Sequence, residues 1–183
     1  MNLKRPTPAE LKAAYGKNVP DLIAPNLKVL FVGINPGLFS AAIRHHFGRP
    51  GNRFWLTLYA AGFTPRVLLP YEERELLGLG YGITNIVPRA TAAADELEPR
   101  EFIAGGRKLE AKVKKFKPRF VAVLGVGAYR FAFGRPKAVI GRQEETVGDA
   151  ILWVLPNPSG LNANYQRADL ARLFSELRTA ASR

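Results

Sequence analysis

Three short runs constrain this chain's fold most: KVLFV at residues 28–32, FVAVL at 120–124 and ILWVL at 151–155. Each is almost wholly apolar, rich in β-branched or aromatic side chains, and followed directly by Gly or Pro. A strand with one wet face alternates polar and apolar residues, whereas an unbroken apolar run belongs to a strand covered on both faces. Residues 82–87 are a weaker fourth candidate. Helical segments fall between these strands: residues 53–61 with Asn52 as N-cap and Gly62 as stop, 71–77, Pro99–Phe116, 127–133 and 167–180. The predicted fold class is therefore α/β, a three-layer α/β/α sandwich around a mostly parallel twisted sheet.

The chain's 183 residues suit one domain spanning 1–183, with a short opening helix within residues 1–16 and a closing helix over 167–180. Thr7-Pro8-Ala9-Glu10 combines a hydroxyl N-cap, a proline in the first turn and a Glu three residues after the cap, and Gly16 ends the segment. In the helix over Pro99–Phe116, Phe102, Leu109, Val113 and Phe116 recur at helical spacing. Arg107, Lys108, Lys112, Lys114, Lys115 and Lys117 populate mainly the other side, giving a basic face.

Hydrophobic residues make up 47% of the chain and charged ones 23%, which excludes wholesale disorder. The 27 Lys and Arg exceed the 15 Asp and Glu by 12, and that excess draws the chain toward polyanions, nucleic acid before an anionic membrane surface. There is no cysteine, which excludes disulfides, thiolate zinc sites, cysteine nucleophiles and cysteine-held iron–sulfur clusters. The two histidines, His45 and His46, are adjacent and make a poor metal pair. No metal or cofactor is expected. No run approaches the ~20 apolar residues of a membrane span, and the amino terminus lacks a signal's apolar core, so the expectation is an intracellular, cytoplasmic or nucleoid-associated protein without membrane contact.

In an open parallel sheet, ligands collect beyond the carboxyl ends of the strands. Two unusual loops leave that edge: Gly33-Ile34-Asn35-Pro36-Gly37-Leu38, followed by a long irregular stretch over 39–52, and Pro156-Asn157-Pro158-Ser159-Gly160-Leu161. If the strands are parallel, both can close around one pocket.

GINPG followed by FGRPGNRFW, together with LPNPSGLN, resembles the mismatch-specific uracil and thymine DNA glycosylases of the uracil-DNA glycosylase superfamily. AGGRKL at 104–109 and residues 151–160 carry the resemblance further, so that it covers most of residues 28–161. It implies a hydrolase of base excision repair that flips uracil, or thymine or ethenocytosine, mispaired with guanine out of duplex DNA. Water then hydrolyses its glycosidic bond and leaves an abasic site.

By the same resemblance Asn35 holds the attacking water, which its carboxamide can orient but not deprotonate. A slow catalyst is expected, since relatives with Asp in the first motif have a base there. Phe47 stacks on the flipped base. Ile34 and Gly37 line the pyrimidine pocket, and the small Ser40 lies near the C5 edge, where it would admit a methyl group. Asn157 sits by the water or scissile bond, Leu161 is the wedge that enters the duplex, and Ser159, Gly160 and Asn162 approach the opposite base. Asn162-Ala163 stands where relatives often have Ser-Arg, so an Arg contact to the duplex is missing.

The residues themselves leave alternatives open. Asn35 also suits an Asn-Pro turn, Phe47 a core position, and Leu161 packing on its own helix. His45 and His46 read as loop residues that solvate or meet phosphate. Asp95, in the loop over 89–98, is either a general base or an N-cap for the following helix. No lysine stands in the matched motifs, which argues against Schiff-base strand cleavage. The expected partner is double-stranded DNA carrying a G:U or related mismatch, bound by a monomer. A non-catalytic DNA or RNA binding module on the same fold is the alternative; a nucleotide enzyme is disfavoured because residues 33–37 lack both GxGxxG and Walker spacing.

Overall fold

A computed structural model describes residues 5–183. Its centre is a five-stranded sheet built from β1 (Val29–Gly33), β2 (Tyr81–Asn85), β3 (Phe120–Leu124), β4 (Gly141–Val147) and β5 (Ala150–Leu155), in the order β2-β1-β3-β5-β4. β2, β1, β3 and β5 run parallel, and β4 pairs antiparallel with β5 at one edge. The apolar runs therefore became the central strands. β4 was not foreseen from the sequence, because Arg142, Glu144 and Thr146 all face solvent and the run carries no apolar signature. Charged side chains on an edge strand discourage pairing with another chain.

Strand residues divide alternately between two cores, as the period of two requires. Val29, Phe31, Phe120, Ala122, Leu124, Trp153 and Leu155 face one side. There they meet α3 (Phe54–Ala60) and α7 (Arg167–Ala181) through Phe54, Leu58, Leu170, Phe174 and Leu177. Phe31 anchors this layer, with the rings of Phe54, Phe63 and Phe174 at centroid distances of 5.6, 5.2 and 6.2 Å. Leu30, Val32, Val121, Val123, Leu152 and Val154 face the other side, covered by α5 (Pro99–Phe116) and α6 (Val126–Phe133) through Leu109, Val113, Ala128 and Tyr129. The result is a three-layer α/β/α arrangement. A Cβ on Gly105 would strike the Ile86 carbonyl and one on Gly106 the Ala132 carbonyl, so the glycine pair lets α5 approach the end of β2 and α6 closely.

The local capping signal at Thr7–Glu10 does start a helix. α1 (Pro8–Ala13) carries the full capping box: the Glu10 amide donates to Thr7 Oγ1 at 3.2 Å and the Thr7 amide donates to the Glu10 carboxylate at 2.7 Å. Residues 1–4 of the expected opening helix lie outside the described residues. Elsewhere boundaries moved. Asn52 is one residue outside the N-cap of α3, which is Arg53, although its Oδ1 accepts from the Phe54 amide at 2.9 Å. The helix expected over 71–77 is a 3-10 turn, Pro70–Glu72, followed by α4 (Glu75–Leu79). The stretch over 39–52 is not wholly irregular, since α2 (Leu38–Ile43) occupies its start.

Candidate active site

Because β1, β3 and β5 are parallel, the loops that leave Gly33, Leu124 and Leu155 emerge together. They surround a cleft of about 580 Å³, whose walls include Ile34, Asn35, Gly37, Ser40, Phe47, Asn157, Ser159, Leu161 and Asn162. The two motif loops, more than a hundred residues apart in sequence, thus face one another across one cavity.

Arg53 holds them there. Its backbone amide donates to the Pro158 carbonyl at 3.1 Å. Its guanidinium donates to the carbonyls of Ser159 (2.6 Å), Asn162 (2.9 Å) and Tyr165 (2.6 Å), with a longer contact to Pro158 (3.3 Å). The planar fork of an arginine suits several fixed acceptors at once. Gly160 does not line the cleft and instead packs on the Gly51 carbonyl of the facing loop. Within the second loop, Asn157 Oδ1 accepts from the Ser159 amide at 3.0 Å and Asn162 Nδ2 donates to the Asn157 carbonyl at 3.0 Å. Asn157 lines the cleft and its carboxamide nitrogen has no partner among the described residues, while the side chain of Asn162 is committed to holding the loop. Leu161 is 75% exposed, so it does not pack on its own helix.

Asn35 is fixed from the other side. The Ile86 and Val87 amides donate to the carbonyls of Gly33 and Ile34, extending the β1–β2 pairing, and the Thr91 amide donates to Pro36 at 3.2 Å. This brings the segment after β2 alongside the first motif. Asn35 Nδ2 donates to the Arg89 carbonyl at 3.0 Å and to Thr91 Oγ1 at 2.8 Å. A carbonyl can only accept, so these partners decide which way the amide points and leave Oδ1, on a residue that lines the cleft, as an acceptor with no partner among the described residues. The same loop is anchored by Arg89 to Glu101, at 2.6 and 2.9 Å. Hydrogen bonding from Arg89, helped by the Glu98 amide, lowers the Glu101 pKa to about 2.

Phe47 sits in the left-handed region at φ 51, and its ring stacks on Phe54 at 4.0 Å between centroids. One face is therefore backed by the core while the residue lines the cleft. Its loop is tied down by the buried Glu73, which accepts from the His46 amide at 2.8 Å and meets His45 Nδ1 at 2.9 Å. Ser40 Oγ accepts from the Gly48 amide at 2.9 Å, so its hydroxyl serves the loop as well as the wall. His46 is buried, with Nε2 against the Pro20 carbonyl at 2.9 Å. That corrects the expectation of a solvated loop histidine. Loss of hydration on burial lowers its pKa, outweighing the opposing effect of Glu73.

Asp95 lies exposed in a 3-10 turn, Ala94–Glu96, and is not among the residues that line the cleft, although Ala92, Ala93 and Ala94 are. Nor does it cap α5, whose N-cap is Glu98. The N-cap reading fails because the 3-10 turn separates Asp95 from the helix.

Sequence reasoning missed Arg53, Thr91 and Asn85. Asn85 ends β2 beside Gly33, where an added Cβ would lie 2.5 Å from Asn85 Oδ1 and 3.3 Å from Phe47 Cζ. Gly33 thus lets a carboxamide and an aromatic ring share the cleft floor. The Asn85 carboxamide makes no hydrogen bond among the described residues and lines the cleft. Its position in a weak strand gave no signal beyond a polar residue at a carboxyl edge.

Of the basic residues, Arg49 lines the cleft, whereas Arg53 and Arg89 spend their guanidiniums on the protein itself. Among the described residues no group of three or more His, Asp or Glu could hold a metal ion, and no helix is long and apolar enough to cross a membrane. Compared with known families, residues 20–178 match the model of the uracil DNA glycosylase superfamily. With that match spanning most of its length, the chain belongs to the uracil DNA glycosylase superfamily.

Proposed function

We propose that this DNA glycosylase excises uracil, and related pyrimidines opposite guanine, from duplex DNA by flipping the base into the cleft and directing water at the sugar. The observation that carries the reading is the orientation of Asn35. Its amide nitrogen is consumed by Arg89 and Thr91, which leaves the carbonyl oxygen as the group this cleft-lining residue can offer a water.

Uracil fits the remaining surfaces. The Phe47 ring, backed by Phe54, offers a stacking face. Asn85, which has no hydrogen-bond partner among the described residues and lies beside that ring, can donate to a base carbonyl and accept from the adjacent imide N–H. The bond between C1′ and N1 breaks with its electron pair leaving on the base, and an oxocarbenium-like sugar develops. Val126 and Gly127, in the first turn of α6, line the cleft, and the amides of a helix's first turn, which have no intrahelical acceptor, favour the departing anion. Water, with one hydrogen accepted by Asn35 Oδ1, then adds its oxygen to C1′, and its proton passes to the base or to solvent. The carboxamide cannot take the proton, so the sugar cation must be well developed before attack, which limits the rate.

Leu161, exposed at the rim, fills the vacated stack. Among the described residues no lysine lines the cleft, and hydrolysis without strand cleavage is the reading that fits such a lining. A monomer leaves the mouth open to a duplex. The test is a set of duplexes with uracil, thymine or ethenocytosine opposite guanine or adenine, incubated with protein and then treated with alkali. Alkali-dependent cleavage at uracil opposite guanine supports the reading, and cleavage before alkali would contradict the monofunctional mechanism.

A further inference from the structure

The chain's excess positive charge is not gathered at the cleft. Lys114, Lys115 and Lys117 end α5, Lys28 immediately precedes β1 and Arg119 immediately precedes β3. In parallel strands these are the amino ends, so the group lies on the sheet edge opposite the cleft. Five strand residues at ~3.3 Å each separate the two edges by roughly 17 Å. The backbone that carries the group is locked: the Asn26 amide donates to Phe116 at 2.7 Å, Arg119 to Leu27 at 2.8 Å and Phe120 to Lys28 at 3.0 Å.

All five side chains are exposed, and none has an ion-pair partner among the described residues. Lys115 and Arg119 lie over the rings of Phe116 and Phe120 at 5.1 and 5.6 Å. Asp149, in the turn between β4 and β5, is an acid that the register brings to the same edge. Lysines in the last turn of a helix complement its dipole, which accounts for Lys114 and Lys115. It does not account for Lys28 and Arg119, which begin strands and add like charge to the group.

We infer that this edge is a second nucleic-acid contact, which binds the phosphate backbone of a duplex segment other than the one engaged by the cleft. A phosphate ladder answers several unpaired cations on a rigid frame. An anionic membrane is the poorer match, because surface-seeking patches add apolar side chains that insert, and none of the exposed large apolar residues lies in the group. One straight duplex cannot reach both edges, so the protein bridges two segments and can pass between them without full release. The inference does not depend on the chemistry assigned to the cleft.

The test compares the full chain with a variant carrying Lys114→Gln, Lys115→Gln, Lys117→Gln and Arg119→Gln, with thermal melting confirming that both fold. Two short lesion-free duplexes, one labelled with a donor and one with an acceptor fluorophore, are mixed with each protein. The natural protein should give energy transfer and the variant should lose it. The salt slope of the additional binding event should fall by about 3 to 4 on loss of four phosphate contacts. Single-turnover base release from a short uracil duplex should be unchanged. Energy transfer that persists in the variant, its absence in the natural protein, or loss of binding to phosphatidylserine vesicles in place of duplex would overturn the inference. If neither protein releases uracil but the variant alone loses bridging, the rear contact stands and the cleft reading fails.

Discussion

The guanidinium of Arg53 donates to the Ser159 carbonyl at 2.6 Å, across 106 residues of sequence, and joins the two walls of the cleft. It also serves Asn162 and Tyr165, so Arg53→Ala leaves several part-buried carbonyls without their donor. Charge-assisted bonds of this kind contribute ~1.5 to 3 kcal/mol each, without simple additivity. Arg53→Ala should lower unfolding free energy by about 2 to 4 kcal/mol in urea titrations and reduce base release more than tenfold. Arg53→Lys should restore little, because a single ammonium cannot match the fork.

Asn85→Ala removes the carboxamide proposed to meet the pyrimidine edge without touching the fold, as that group bonds to no described residue. Loss of a substrate hydrogen bond costs ~1 to 3 kcal/mol, or roughly ten- to a hundredfold in single-turnover release of uracil. Affinity for lesion-free duplex should stay within about twofold. An unchanged rate would remove Asn85 from the recognition set.

Much of this was legible in the sequence, for identifiable reasons. β1, β3 and β5 announced themselves because strands covered on both faces have no polar positions, and Thr7 with Glu10 announced α1 because a capping box is local. Parallel strands then put both motif loops at one edge. What escaped detection depends on distant partners. Arg53 acts on carbonyls far along the chain, and the partners of the buried His46, the Pro20 carbonyl and Glu73, lie 26 and 27 residues away. α2 is too short to show a period, and β4 is an edge strand whose outward charges mimic a loop.

Leu161→Ala should leave the melting temperature unchanged, since the side chain is exposed. Binding to a uracil-containing duplex should weaken by about tenfold, from loss of ~1 to 2 kcal/mol of apolar filling in the stack, measured by fluorescence anisotropy with a non-cleavable substrate analogue. Equal affinity would argue that Leu161 does not enter the duplex.

The buried His46 makes stability depend on pH. Folded, its pKa lies below the ordinary 6.5, so as pH falls below that value the unfolded chain takes up a proton that the folded one resists. Stability should therefore decrease as pH drops below 6.5, and His46→Gln should flatten that slope. Glu101 acts in a lower window, because its contribution is complete above its ordinary 4.5 and is lost progressively as pH falls from there to about 2. Chemical denaturation at pH 7.5, 6.5 and 5.5 separates the two, and identical slopes in both proteins would exclude His46.

Water positioning by Asn35 is the centre of the account, and its measurement is single-turnover excision from a G:U duplex by Asn35→Ala beside the natural protein, with duplex affinity recorded in parallel. The predicted result is a rate at least ~10²-fold lower at an affinity within about twofold, as expected when a positioned reactant is lost but the binding surface is kept. A variant that releases uracil at the natural rate would contradict it.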